Sequence, residues 1–319
     1  MKTVLFTDTH FGVKQNSITW LNSQLDFIYK QFIPYIESME DDVRVVHLGD
    51  VFDSRSSIST LVASRVRDAF RDIRRACKEF IIVGGNHDYY SPNSDKIDTI
   101  SLILNNLDII LVTQDILKIG DDVFIPWYKS EELGLKGMIK KYLDEKYNIY
   151  THTDLVTDGP MWKGPRVFSG HIHIPCITHP NSYNLGSCYA LNFSDSNSER
   201  GFYVIDNENV TFVPNKESIR YWRFMNEDIF GDWDEVGMND YIEMYIRQEN
   251  LSKSEYINKL DYIVSKYKNS TIVPHVTKSE MGMDMERFKG CDISTIVMDL
   301  MPEELMDKFK VVQSRFLEY

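Results

Sequence analysis

What this chain lacks narrows what it can be. No apolar run approaches the ~18 residues a membrane span needs. The four cysteines in 319 residues, Cys77, Cys176, Cys188 and Cys291, stand far apart with no Cys-x-x-Cys. That argues for reduced intracellular thiols and against a disulfide framework. The N-terminus enters a strand-like run and meets Asp8 at once, which leaves no room for a signal h-region. A cytoplasmic location is the expectation, in host cytoplasm if the chain is phage-encoded. Basic charge is short: 35 Lys and Arg against 48 Asp and Glu give a formal charge of −13. That balance argues against a general nucleic-acid coat. It leaves a nuclease open, because metal-binding carboxylates add to the acidity and bound cations reverse it locally. Internal repeats and low-complexity runs are absent too.

What is present is a scattered set of short motifs. Asp8-Thr9-His10, Gly49-Asp50-Val51-Phe52-Asp53, Gly85-Asn86-His87-Asp88, a lone His152, and Gly170-His171-Ile172-His173 each come directly after an apolar, strand-like run. The runs are Val4 to Thr7, Val43 to Leu48, Phe80 to Val83, Ile149 to Thr151 and Val167 to Ser169. Residues just past strand ends converge on one crevice of an α/β sheet. Carboxylates, an amide and several imidazoles delivered this way suit two hard or borderline divalent ions. Five of the eight histidines fall in these motifs, a concentration that scattered surface histidines would not show. His47, inside a strand run, reads as a hydrogen-bonded core residue, and His179 and His275 as ordinary surface or cap residues.

Strand-like and helical stretches alternate from residue 1 to about 215, the pattern of a layered α/β domain. Ser59 to Phe80 reads as a helix whose outer side carries Arg67, Arg71, Arg74, Arg75 and Lys78. Ile97 to Leu107 and Ser130 to Tyr147 read as two further helices. Phe202 to Ile205 and Val210 to Val213 read as a hairpin. Residues 216–277 form a small β-α-β module, a cap over the crevice: strand Tyr241 to Arg247, helix Lys253 to Lys268, strand Thr271 to Val276. Residues 278–290 read as a linker and 291–319 as an amphipathic helical tail.

The ordered motif set resembles the calcineurin-like metallophosphoesterase superfamily over residues 4 to 173. The resemblance implies a four-layer α-β-β-α sandwich, here with the small α+β cap over residues 216–277, which is also expected to recognise DNA, and the helical tail. Protein phosphatases of that superfamily continue the second motif with Arg-Gly, whereas this chain reads Asp53-Ser54-Arg55. Tyr183 to Ser187, Leu191-Asn192-Phe193 and Glu199 to Val204 resemble the segment after the last metal motif of SbcD-type nucleases. Those are double-strand-break repair enzymes related to the meiotic-recombination nuclease of eukaryotes. Length, acidity and tail look similar to the recombination-endonuclease subunits of T-even-like phages.

Carried over motif by motif, the resemblance implies one ion on Asp8, His10, Asp50 and His173, and a second on Asp50, Asn86, His152 and His171, with Asp50 bridging and manganese as the metal. Such a pair lowers the pKa of a shared water and holds non-bridging phosphate oxygens. His87 contacts the phosphate and assists the leaving oxygen, and Asp88 is expected to orient His87. Asp53 stands where some relatives carry His, which leaves the balance of exonuclease and endonuclease action open. The implied activity is double-strand exonuclease and single-strand endonuclease action in recombination, repair and replication. It would be exerted with a coiled-coil ABC-type ATPase docked on residues 291–319, as a homodimer formed through Leu61 to Phe70 and Ile97 to Leu107. Lys14, Arg55, Arg67, Arg71, Arg74 and Arg75 are candidate DNA-phosphate contacts. A metallophosphoesterase acting on a small phosphodiester or phosphoprotein, and a non-catalytic scaffold, are the competing readings.

Overall fold

The computed structural model describes residues 1–91, 94–129, 141, 147–153, 166–179 and 181–275. Two six-stranded sheets dominate it. The first contains β1 (Lys2–Phe6), β2 (Val43–His47), β3 (Glu79–Val83), β6 (Ile110–Val112), β13 (Gly201–Asp206) and β14 (Asn209–Pro214), in the order β14-β13-β1-β2-β3-β6. The four strands β1, β2, β3 and β6 run parallel, and the β13–β14 hairpin joins them antiparallel. The second sheet orders β11 (Cys176–His179), β12 (Ser182–Asn184), β10 (Arg166–Ser169), β9 (Asn148–Thr151), β8 (Asp122–Ile125) and β7 (Leu117–Ile119). Its middle strands β12, β10, β9 and β8 are also parallel. A small hairpin, β4 (Tyr89–Ser91) with β5 (Ser94–Asp98), comes after the third motif.

The strand sequences are nearly unbroken apolar runs because both faces of the first sheet are buried. Val4, Phe6, Val45, Phe80 and Ile82 face a helical layer that brings Trp20, Phe27, Val66, Phe70 and Ile73. Leu5, Val46, Ile81 and Val83 face the second sheet, meeting Phe124, Tyr150 and Phe168. The far face of the second sheet carries buried Val123, Ile125, Ile149 and Val167. The helix read over Ser130 to Tyr147 lies mostly outside the described residues, and the linker 278–290 and the tail 291–319 lie wholly outside them.

The helical layer corrects two boundaries. The helix after the second motif runs Thr60–Ala76, with the Ser59 side chain accepting from the Val62 N–H at 3.2 Å. It stops short of Phe80 because Cys77 turns to extended backbone and the chain enters β3. The Ile97 to Leu107 helix shrinks to Thr99–Leu104, capped by Asp98, because Ile97 is taken into β5. A helical segment that sequence reading passed over, Ile18–Glu37 with a wide π turn at Phe27–Phe32, supplies much of the first core.

A third, all-parallel sheet consists of β15 (Tyr221–Met225), β16 (Tyr241–Arg247) and β17 (Ser270–His275). Its helix runs Ser254–Lys266. Ile242, Met244 and Ile246 pack against that helix through Tyr256, Leu260 and Ile263. The opposite face meets the main body at one end, where Tyr221 and Tyr241 stack on each other at 5.0 Å and on Trp20 at 5.9 and 6.0 Å.

Candidate metal centre

Each motif begins where a parallel strand ends. The first sheet delivers Asp8 and His10 after β1, Asp50 and Asp53 after β2, and Asn86, His87 and Asp88 after β3. The second delivers His152 after β9, then His171 and His173 after β10. The loops are laced together: the Asp8 N–H donates to Gly49 O at 3.0 Å and the His10 N–H to Asp50 O at 3.0 Å. Four of the candidate donors, Asp8, His10, Asp50 and His171, have φ of 51°, 40°, 54° and 81°. Left-handed backbone at non-glycine residues costs on the order of 1 kcal/mol or more each, and it concentrates where function needs it. Two glycines make the closeness possible. A Cβ on Gly85 would stand 2.2 Å from the Asp50 nitrogen, and one on Gly170 would stand 2.8 Å from Asp8 Oδ2 and 2.8 Å from His152 Nδ1.

The donors fall into two neighbouring groups with Asp50 between them. On one side, His10 Nε2 lies 3.2 Å from His173 Nε2, 3.8 Å from Asp8 Oδ1 and 3.6 Å from Asp50 Oδ2. His173 Nε2 is 3.7 Å from Asp8 Oδ1. On the other side, His152 Nε2 is 3.4 Å from Asp50 Oδ1, and Asn86 Oδ1 sits 3.0 Å from both His152 Nε2 and His171 Nδ1. His152 points Nε2 inward because Nδ1 is held by the Leu48 carbonyl at 2.7 Å, the outer-shell bond that fixes an imidazole tautomer.

The electrostatics show what the cluster is short of. Burial by itself would raise Asp8 and Asp50, yet the imidazoles beside them outweigh it and hold both carboxyls below the ordinary range. Burial would lower His10 and His152. The Asp53 and Asp8 carboxylates beside it raise His10 to about 10, and the Asp50 charge raises His152 to about 9. The carboxylates thus attract positive charge into the cluster. Asp8 Oδ1 is buried with no hydrogen-bond partner, a costly arrangement for an anion unless a cation meets it. Three sets, Asp8-His10-His173, His10-Asp50-His87 and Asp8-Asp50-His152, have ligand atoms within 4.8 Å of one another. This mixed nitrogen and oxygen donor set fits divalent cations.

Of His87, Asp88 and Asp53, Asp88 departs from expectation. The Asp88 carboxylate does not orient His87. It turns away and accepts backbone N–H groups from Asp50 at 2.8 Å, Val51 at 3.0 Å and Gly85 at 2.8 Å. Asp88 therefore pins the strained turn that presents Asp50. Burial and repulsion from Asp50 push it up to about 7, against those N–H donors. His87 is oriented by a carbonyl: its Nδ1 lies 2.6 Å from Asp53 O. The Asp53 carboxylate faces His10 Nδ1 at 3.5 Å.

Gln24 and Tyr189 escaped sequence reading. Buried Gln24 Nε2 donates to Thr9 O at 2.8 Å and to Tyr189 Oη at 2.8 Å, and the Tyr189 hydroxyl donates to Thr9 O, so the pair clamps the Asp8–His10 loop. No motif flags a polar residue inside a helix as a loop clamp. His47 matches its reading, with Nε2 on Thr9 Oγ1 at 3.0 Å and Nδ1 accepting the Gly49 N–H at 3.1 Å. Of the DNA-contact candidates, exposed Lys14 and half-buried Arg55 lie on the loops that carry His10 and Asp53, and the Lys14 charge acts on Asp53. The helix arginines are tied up elsewhere. Arg67 donates to Ile103 O, Arg71 pairs with Asp68 at 2.6 Å, Arg74 with Asp108, and Arg75 with Asp72 at 3.0 Å.

Exonuclease subunit 1 of Enterobacteria phage T4 is 23% identical over 323 aligned residues, covering 93% of this chain and 91% of that protein. The crystal structure of phosphopantetheinyl hydrolase from Mycobacterium tuberculosis matches 58% of this chain and 89% of its own, at 13% identity and a TM-score of 0.32. No helix among the described residues is long and apolar enough to cross a membrane. Residues 1–265 match the calcineurin-like phosphoesterase family, and with the motif loops closed around Asp50 the chain belongs to that family.

Proposed function

We propose that this chain is a metal-dependent DNA nuclease that hydrolyses phosphodiester bonds and acts in recombination, break repair and replication. The observation that carries the reading is Asp50 standing between two donor groups, His10-Asp8-His173 and His152-Asn86-His171. The near full-length similarity to a phage exonuclease subunit supports DNA as the substrate. Asp8, His10, Asp50 and His173 would hold one ion, and Asp50, Asn86, His152 and His171 the other, with manganese suited to the mixed set. Such ions, when bound, activate water and neutralise charge on the phosphate.

The chain's own residues supply the rest. His87 keeps Nδ1 on the Asp53 carbonyl, which leaves Nε2 to hold a proton for the departing oxygen. Asp53 and the Leu48 carbonyl orient His10 and His152. Asp88, reached through backbone N–H groups, positions Asp50. The core over 1–215 would carry this chemistry and residues 216–277 would cap it. Leu61, Ile97 and Leu102, 44%, 55% and 72% exposed, leave apolar surface on the segments expected to meet a second copy. Residues 291–319 would dock a coiled-coil ABC-type ATPase.

The test is end-labelled duplex and single-stranded DNA with manganese, magnesium, zinc or EDTA, beside Asp50→Asn. Manganese-dependent degradation reduced about a thousandfold in the variant is expected, a loss of several kcal/mol of transition-state stabilisation. A chain that binds metal and hydrolyses a small phosphodiester, yet leaves DNA whole even with the ATPase present, would overturn the nuclease reading.

A further inference from the structure

Thr9 is the middle residue of the Asp8-Thr9-His10 motif, and both of its oxygens are held. Its neighbours Asp8 and His10 sit in left-handed backbone, so the turn departs from strand geometry. The Thr9 carbonyl accepts from Gln24 Nε2 at 2.8 Å and from the Tyr189 hydroxyl. The Thr9 hydroxyl lies 3.0 Å from His47 Nε2 and donates to the Val51 carbonyl at 3.1 Å. Thr9 and His47 are both fully buried.

The hydrogen bonds through His47 have a direction. A backbone N–H can only donate, so the Gly49 N–H at 3.1 Å makes His47 Nδ1 an acceptor. Burial pushes the ring down to about 3, so it is neutral and its one proton is on Nε2. That N–H donates to Thr9 Oγ1, whose own hydrogen points at Val51 O. The circuit leaves the second motif at Gly49, crosses the first at Thr9 and returns at Val51, straddling Asp50. Backbone contacts between the two motifs run one way, with Asp8, His10 and Phe11 donating to Gly49, Asp50 and Val51. The N–H groups of Asp50 and Val51 turn instead to Asp88. His47 and Thr9 thus carry the return link from the second motif to the first. An imidazole is costly to bury unless its nitrogens are bonded, and here both are, to the two motif loops.

We propose that His47 and Thr9 are positioning residues that set the spacing between the two metal subsites, holding Asp8 and His10 at a fixed reach from Asp50. The inference rests on the two-ion reading of this centre and not on DNA as the substrate. His10 Nε2 is 3.6 Å from Asp50 Oδ2 and 3.8 Å from Asp8 Oδ1. An ion held by these three side chains stays beside a second only while the two loops hold still against each other. Partners behind metal ligands fix their orientation, and losing one costs about 10- to 100-fold in metal affinity or activity. A role confined to core packing would cost stability and leave the loaded site unchanged.

The experiment loads the full chain with manganese and follows it by electron paramagnetic resonance, calorimetry and turnover of bis(p-nitrophenyl) phosphate. The unaltered chain is expected to bind two magnetically coupled ions. Thr9→Val keeps the side-chain shape and removes the hydroxyl. It should replace much of the coupled signal with that of isolated ions and weaken the second ion about tenfold. Its kcat should fall about 10- to 100-fold with KM nearly unchanged. Thr9→Ser returns the hydroxyl and should restore the signal and kcat. His47→Phe should match Thr9→Val, and the double variant should be no worse than either, because each breaks the same circuit. The two Thr9 variants suffice where His47→Phe does not fold. A Thr9→Val chain with lowered metal-free Tm but unchanged coupling, affinity and kcat would overturn the positioning role and leave the two-ion reading intact. So would Thr9→Ser no better than Thr9→Val, or a double variant whose losses multiply. An unaltered chain that binds a single ion or none would overturn both.

Discussion

Two dense clusters of charge sit on this chain, one around Asp50 and one along the helix Thr60–Ala76, and they treat their charges in opposite ways. Around Asp50 the groups are buried or half-buried, four of them sit in left-handed backbone, and Asp8 Oδ1 is left without a hydrogen-bond partner. Along the helix, Arg71, Arg74 and Arg75 are each answered by an aspartate of the same chain. The first cluster is incomplete without something from outside, whereas these three arginines of the second are already paired. Charge density alone therefore says little about function. What separates the two is whether the fold satisfies its own charges.

The largest effect that would break this contrast concerns His87, which lies inside the first cluster without being assigned to hold metal. His87→Ser is expected to keep metal affinity within a few-fold by calorimetry and to lower kcat on DNA by about a hundred- to ten-thousandfold, the usual weight of a general acid. Lost metal binding would make His87 a ligand beside His10 and Asp50, a set their geometry also permits.

That ambiguity marks the limit of what the sequence could say. The donor residues were legible because each lies just past a run whose residues can only be a buried strand, and parallel strand ends meet in space. The direction in which Asp88 turns was not legible. In a four-residue turn its carboxylate can reach either the neighbouring ring or the N–H groups of another loop, and only the approach of Gly85 to Asp50 decides for the latter. Strand Tyr221–Met225 was missed because aromatic side chains occupy both of its faces, one on Trp20 and one on the helix behind, so it shows no polar–apolar alternation. Gln24 was illegible for a related reason: its role is set by Thr9 and Tyr189, far away in the chain.

The next effect is on stability and separates metal-free from metal-loaded protein. His10 and His152 are raised to about 10 and about 9 in the folded chain, above the ordinary histidine value near 6.5. A raised pKa stabilises the fold fully below the ordinary value, and the contribution is lost as pH climbs through 9 and then 10. The metal-free protein is therefore expected to lose roughly 5 °C of Tm between pH 7 and 10. The manganese-loaded protein should hold steady there, because cations take the place of the protons. Calorimetry in buffers of different ionisation enthalpy should register proton release on metal binding at pH 7. A flat metal-free Tm with no proton release would mean that the rings are neutral and the cluster is not starved of cations.

The smallest effect is expected from the second cluster, and it sharpens the comparison most. A surface arginine already paired with an aspartate contributes on the order of 0–1 kcal/mol to stability and has little charge to offer a DNA phosphate. Replacing Arg71, Arg74 and Arg75 together by alanine should leave the slope of log affinity against log salt for duplex DNA unchanged. Lys14→Ala, on the loop that carries His10, removes a cation at the mouth of the unsatisfied cluster. If that lysine meets a phosphate, the slope should fall by about 0.9, the value of one released counterion. A slope that flattens with the helix variant and not with Lys14 would reverse the assignment. It would mean that the aspartates exchange their arginines for DNA, and that a self-satisfied cluster can still be a binding surface.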